Sequence, residues 1–234
     1  MWLLPSFQHS LITFSFSTQS LICTWLTKQK NNNRLSLQAY EKYLFDSYEI
    51  LNGMLYNPTC IARLITQFLK KNNQHDAFVA FTLSNECLLE DFITMPTSSP
   101  KRSDFNHQEN TSRLWGYRHL YQNDDGQSVF YTYTFSRAAL LQYKLLAIHT
   151  NINLLSITPQ TIALIGAYKT IFGTTFRASQ FALDMMRHNN SVENCISNDI
   201  LHRIITTAHT SIPPHDMINL APACGMITLE GSFL

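Results

Sequence analysis

The sequence lacks an excess of charge of either sign. Its 17 Lys and Arg stand against 16 Asp and Glu, a net charge of +1 over 234 residues. That balance argues against a nucleic-acid protein, in which a clustered basic face is expected. Charged residues of any kind make up only 14%, against roughly 25% in soluble domains. Either uncharged Ser, Thr, Asn and Gln solvate the surface, or partners cover much of it. The five cysteines, Cys23, Cys60, Cys87, Cys195 and Cys224, are odd in number and contain no CxxC pair. This excludes a disulfide framework and a zinc knuckle, and leaves small buried thiols in a reducing compartment. No apolar run approaches the roughly 18 to 20 residues needed to span a bilayer. The opening, MWLLPSFQHS, lacks a basic stretch and does not read as a secretory signal. There is no GxSxG, so nothing local supports a serine hydrolase. Glycines number 7.

The length is enough for one large or two small domains with a sizeable core. Of the nine histidines, His202, His209 and His215 stand nearest to a ligand set. Their spacing matches no compact metal pattern, so they read as scattered side chains. The acidic pairs Glu90-Asp91 and Asp124-Asp125 read as strand-end and turn residues rather than a catalytic pair.

In LITFSFSTQSLICTW (11–25), Leu11, Phe14 and Phe16 alternate on one side, and Leu21, Cys23 and Trp25 on the other. Two strands joined by Ser17-Thr18-Gln19-Ser20 are expected. The backbone N–H groups of such a turn attract anions, so it is either plain structure or a phosphate-binding loop. A third strand is expected over 35–45, with a helical second half as the other possibility, then a turn at Asn52-Gly53. Next comes the clearest helix. Asn57 caps it, Pro58 suits its first turn, and Ile61, Leu64, Ile65, Phe68 and Leu69 share one face. Lys70 and Lys71 favour its carboxyl end. Strands follow at 76–83 and 86–96, then a polar connection at 97–110. Two aromatic arms flank QNDDGQ, a hairpin turn. Ser136 caps a helix, INLLSI is a strand, and Thr158-Pro159 opens another helix ending near Gly173. The unit 112–173 is thus β-β-α-β-α. Residues 174–230 read as mostly helix.

The segments YEILNGMLYNPTCIARLITQFLKKNNQHDAFVAFTLSNECLLEDFITMP and VFYTYTFSRAALLQYKLLAIHTNINLLSITPQTIALIGAY, in this order after the hairpin, resemble the PilM family of actin-like type IV pilus assembly proteins, on the FtsA and PilM branch. The resemblance covers roughly residues 9–172. It implies an α/β (α+β) fold: a partial actin-like (ribonuclease H-like) base domain with an inserted small β-β-α-β-α subdomain. The implied division is 1–96 for the first base subdomain, 97–173 for the insert, and 174–234 for a helical region closing the base.

In that family the hairpin reads I-D-I-G-S-S-S-I-K. Here Ser15 stands where the metal-placing Asp would be, Ser17 where the Gly would be, and Ile22 where the Lys would be. Serine supplies no charge to a metal, and its Cβ hinders approach to phosphate. The loop resembles one that has lost its chemistry, with only hydrogen bonds from Ser17, Thr18, Gln19 and Ser20 to offer. After the insert the family opens a second base domain with another D-I-G strand pair, and no such pair follows here. HDMINLAPACGMITLEG resembles the family's closing helix. MINLAP (217–222) resembles the INLLP peptide at the cytoplasmic N-terminus of PilM's membrane partner, and reads as a helix start. The resemblance therefore implies a non-catalytic cytoplasmic adaptor of a pilus, secretion or DNA-uptake assembly. Its partner would be the short cytoplasmic tail of a single-pass inner-membrane protein, met at the membrane's inner face without direct insertion or nucleic acid. No catalytic, cofactor-binding or metal residue is assigned and no cofactor is expected. A residual ATPase binding ATP and magnesium is the competing expectation.

Overall fold

The computed structural model describes residues 10–28, 34–46, 49–96, 100–105, 112–172, 180, 205–207, 212 and 214–228. The chain starts with β1 (Ser10–Phe16), β2 (Ser20–Lys28) and β3 (Leu35–Leu44). These form an antiparallel meander with Phe14 opposite Cys23 and Ser15 opposite Ile22. β3 is strand throughout, because its second half pairs with β2 as far as Leu44 opposite Ser20. A small hairpin of β4 (Ile50–Leu51) and β5 (Met54–Leu55) turns at Asn52-Gly53 as expected, both residues having positive φ.

Helix α1 (Pro58–Lys71) starts as the sequence predicts. The Asn57 side chain accepts from the Cys60 N–H, and Ile61, Ile65, Phe68 and Leu69 are buried. β6 (Phe78–Leu83) then runs parallel to β1, and β10 (Asn153–Pro159) parallel to β6. The central sheet has the order β10-β6-β1-β2-β3-β11. Both faces of β1 and β6 are buried, with apolar side chains alternating with small ones such as Thr13, Ser15 and Thr82.

Three placements differ from the sequence reading. β7 (Leu89–Met95) does not extend the base sheet. It pairs antiparallel with β9 (Ser128–Ser136), which also pairs with β8 (Arg113–Gln122), giving a separate three-stranded sheet β7-β9-β8. The element order beyond residue 112 is the expected β-β-α-β-α, but its members divide between the sheets. α2 (Arg137–His149) buries Ala139, Tyr143 and Leu146 in the same cluster as α1, and β10 closes the base sheet beside β6. Strand alternation is visible locally, but the partner strand is not, because pairing is decided by distant parts of the chain.

The third difference lies at residues 205–207, expected as helix. They form β11 (Ile205–Thr207), which runs parallel to β3 at the sheet edge. An open edge offers unpaired N–H and C=O groups, and β-branched Ile205, Thr206 and Thr207 suit a strand. The chain ends its described part in a 3-10 stretch (Pro214–Leu220) and α4 (Ala221–Thr228). α4 lies on β1 and β2 and packs closely against α3 (Gln160–Phe172). A Cβ on Gly225 would stand 1.5 Å from the Ala163 carbonyl oxygen, so only glycine permits this approach. Lys42 of β3 pairs with Asp216 at 3.0 Å, and Asn219 Nδ2 donates to the Tyr40 hydroxyl at 3.1 Å, fixing this end to the sheet. Among the described residues, no helix is long and apolar enough to cross a membrane.

Candidate functional site

The turn between β1 and β2 is where a phosphate loop would stand, and its backbone donors are already engaged. The Ser17 Oγ accepts from the N–H groups of Gln19 at 3.3 Å and Ser20 at 3.0 Å. The Ser17 N–H itself donates to the Ser20 carbonyl at 3.0 Å. The Thr18 N–H and hydroxyl both donate to one carboxylate oxygen of Glu86, at 3.2 and 2.6 Å. Glu86 belongs to the 3-10 turn Asn85–Cys87 after β6. A side-chain anion thus lies where this turn would otherwise offer its N–H groups to an external one. Sequence reading missed Glu86, because the partners stand 68 positions apart.

Ser15, at the position that the resemblance aligns with a metal-placing acid, is buried and accepts a hydrogen bond from the Thr82 hydroxyl at 2.7 Å. It brings no charge and its hydroxyl is occupied. Ile22 faces Ser15 across the ladder and offers no cation. These residues do not fit a magnesium–phosphate group. Among the described residues, no cluster of three His, Cys, Asp or Glu side chains is placed to hold a metal ion. His202 and His209 lie outside the described residues.

A second feature lies at the carboxyl ends of β6 and β10. A cavity of about 150 Å³ opens between these strand ends and the β8–β9 hairpin. Leu83, Leu88, Ile157 and Pro159 form one wall, and Leu114, Trp115, Tyr133 and Phe135 the other, with Thr158 among the polar contributors. Carboxyl ends of parallel strands are where ligands of open α/β sheets gather. Gly116 shapes the cavity: a Cβ there would stand 2.5 Å from the Tyr133 ring, so its absence lets that ring lie across the β8 backbone. Burial pushes the Tyr133 phenol up, which keeps it neutral. Among the described residues β8 is the outer strand of its three-stranded sheet, and its Leu114 and Trp115 line the cavity.

The three-stranded sheet is fastened to α3 beside this groove. The Thr161 hydroxyl, at the start of α3, donates to Glu90 of β7 at 2.5 Å. Burial raises the Glu90 carboxyl above its ordinary range, and the Thr161 bond opposes that shift. The Tyr131 hydroxyl lies beside the same carboxylate, and the Tyr131 and Tyr133 rings stack at 5.8 Å. Asp91 turns to its own chain, accepting from the Phe92 N–H at 2.8 Å. Asp124 and Asp125 lie in the hairpin turn, as expected. The MINLAP segment does not occupy the groove: Met217, Leu220 and Ala221 are buried in the opposite core, against α3 and the base sheet. Cys23, Cys87 and Cys224 are buried free thiols, and burial raises the pKa of each. Cys195 lies outside the described residues.

No family model matches the chain, and no curated protein matches it. Solved structures do. A chain of a PilM-PilN type IV pilus biogenesis complex superposes with a TM-score of 0.56 at 13% identity, over 71% of this chain and 51% of that one. The chain thus spans about half the length of that relative. The cytoplasmic domain of EpsL, an inner-membrane component of the Vibrio cholerae type II secretion system, reaches a TM-score of 0.39 at 10% identity, covering 66% of this chain and 58% of that one. A Bacteroides thetaiotaomicron protein with an actin-like ATPase fold reaches 0.37 at 10% identity, covering 70% and 56%. The first of these shows the fold, and it is the actin-like fold expected from the sequence.

Proposed function

We propose that the chain is a non-catalytic adaptor of a pilus or related secretion assembly, holding the short cytoplasmic tail of a single-pass inner-membrane protein. The observation that carries this reading is the apolar groove between the strand ends of the base and β8. It combines a cavity lined by Leu114, Trp115 and Tyr133 with a strand that, among the described residues, stands last in its sheet. An extended tail satisfies both at once: its backbone pairs with the edge, and alternate side chains enter the cavity. The likeness to a chain of a PilM-PilN complex supports a partner from such an assembly. The engaged turn supports the non-catalytic part, since Glu86 and Ser17 hold the donors a nucleotide phosphate would need.

The test is co-purification of tagged protein from gently solubilised membranes, repeated with Trp115→Ala and Leu114→Lys. The expected result is one single-pass protein with a short cytoplasmic tail, retained by the parent chain and lost from both variants. Recovery that is equal with the variants, or no membrane protein from a folded chain, overturns the tail reading. A titration with magnesium and ATP is expected to release no heat, and saturable heat overturns the non-catalytic reading.

A further inference from the structure

Helix α2 has an outward face that the groove does not use. Its inward residues Ala139, Tyr143, Leu146 and Ala147 are buried. Leu141, Leu145 and Ile148 point outward, 56%, 44% and 72% exposed. They recur at the i, i+4, i+7 spacing of one stripe, unlike the singly scattered apolar residues of an ordinary surface. At about 100° per residue, Leu141, Leu145, Ile148 and Ala138 form the centre of the exposed arc. Arg137 and Lys144 fall together on one flank and His149 on the other. The helix, RAALLQYKLLAIH, contains no acidic residue. Among the described residues neither Arg137 nor Lys144 forms an ion pair. Tyr56, 67% exposed, follows β5 in the chain. Its neighbour Leu55 is held to α2 through both backbone groups, donating to Gln142 Oε1 at 2.8 Å and accepting from Gln142 Nε2 at 3.2 Å.

We propose that this face of α2 rests on an anionic lipid surface. An aliphatic centre, a cationic flank and a nearby tyrosine suit the boundary between headgroups and acyl chains. Leu141, Leu145 and Ile148 enter the boundary, and Arg137 and Lys144 reach back to the phosphates along their apolar stems. The charge pattern disfavours a second copy of this chain, because a two-fold contact would bring each cation flank near its own copy with no acid on α2 to offset it. The inference concerns lipid alone, independent of any tail in the groove, so its failure leaves the adaptor reading untouched.

The test is co-sedimentation of the full chain with vesicles of phosphatidylcholine alone or with about a third phosphatidylglycerol. The expected result is binding to the anionic vesicles that weakens as salt rises, and little to the neutral ones. Leu141→Gln with Leu145→Gln and Ile148→Gln, and separately Lys144→Glu, are expected to weaken binding by about tenfold or more. Both leave the fold intact by circular dichroism, because the changed side chains are exposed. Equal binding to both vesicle types, no binding, or undiminished binding by the folded variants overturns the proposal. So does velocity sedimentation showing that the parent self-associates through this face and that the triple variant does not. Saturable capture of a synthetic acidic amphipathic helix by this face, without vesicle binding, assigns it to protein instead and equally overturns the lipid reading.

Discussion

The two faces of the central sheet are built from different materials. The face under α1 and α2 is aromatic: Phe14, Phe16, Phe68, Phe81 and Tyr143 meet edge to face, with ring centroids 5.0 to 6.4 Å apart. The face under α3 and α4 carries Thr13, Ser15, Thr24, Ala80 and Thr82 over its centre, all buried. Large rings keep α1 and α2 away from the strands, whereas small side chains suit helices that pack as tightly as Gly225 packs on Ala163. The aromatic face is a deep apolar core; the small-residue face trades apolar volume for close approach and leaves the Thr13 hydroxyl without a hydrogen-bond partner among the described residues. That contrast shows how strictly alternating strands give one sheet two different jobs.

The largest effect is expected on the aromatic face. Phe81→Ala removes a fully buried ring from that cluster and should cost about 3 to 5 kcal/mol in a denaturant melt. A loss below about 1 kcal/mol would show that the aromatic cluster is not the main core. Gly225→Ala tests the close-packed face. It forces α4 off α3 and should cost about 3 kcal/mol, and an unchanged melt would contradict the close approach. Thr13→Val has the opposite sign: it replaces an unpartnered buried hydroxyl with a methyl group and should stabilise by about 1 kcal/mol.

Glu90→Gln tests the join between the three-stranded sheet and α3. Burial raises the Glu90 carboxyl in the fold, so the folded chain holds this proton more tightly than the unfolded chain. Its contribution to stability is therefore complete below the ordinary glutamate range and lost as pH rises through the raised value. The glutamine variant is expected to lack that loss, which urea melts across acidic to neutral pH would show. The smallest effect belongs to Glu86→Ala, at the exposed turn, where stability should change by no more than about 0.5 kcal/mol. Its value is local: the amide resonance of Thr18 should move, while those of Gln19 and Ser20, held by Ser17 Oγ, should not.

Local chemistry was legible in the sequence wherever one short stretch carried it. The Asn57 cap with the Ile61–Leu69 face, the Asn52-Gly53 turn, the Ser136 cap and the β1–β2 hairpin each follow from spacing within a dozen residues. The absence of charge at Ser15 and Ile22 could also be read directly. Glu86, Thr82 and Thr161 escaped notice because nothing near Thr18, Ser15 or Glu90 in the chain points to them. The groove escaped for the same reason, since Leu83, Leu114 and Ile157 come from three elements on two sheets.

The sequence by itself determined which stretches are strand and helix over most of residues 10–172, where turns fall, and that the first turn lacks an acid, a glycine and a lysine. These depend on side-chain periodicity and backbone preference, which act over a few residues. Tertiary structure alone decided that β7 leaves the base for the aromatic sheet, that Ile205–Thr207 becomes an edge strand, and that Glu86 closes the turn. Each depends on which backbone edge or donor lies unsatisfied nearby in the folded chain, and that is settled only when distant segments meet.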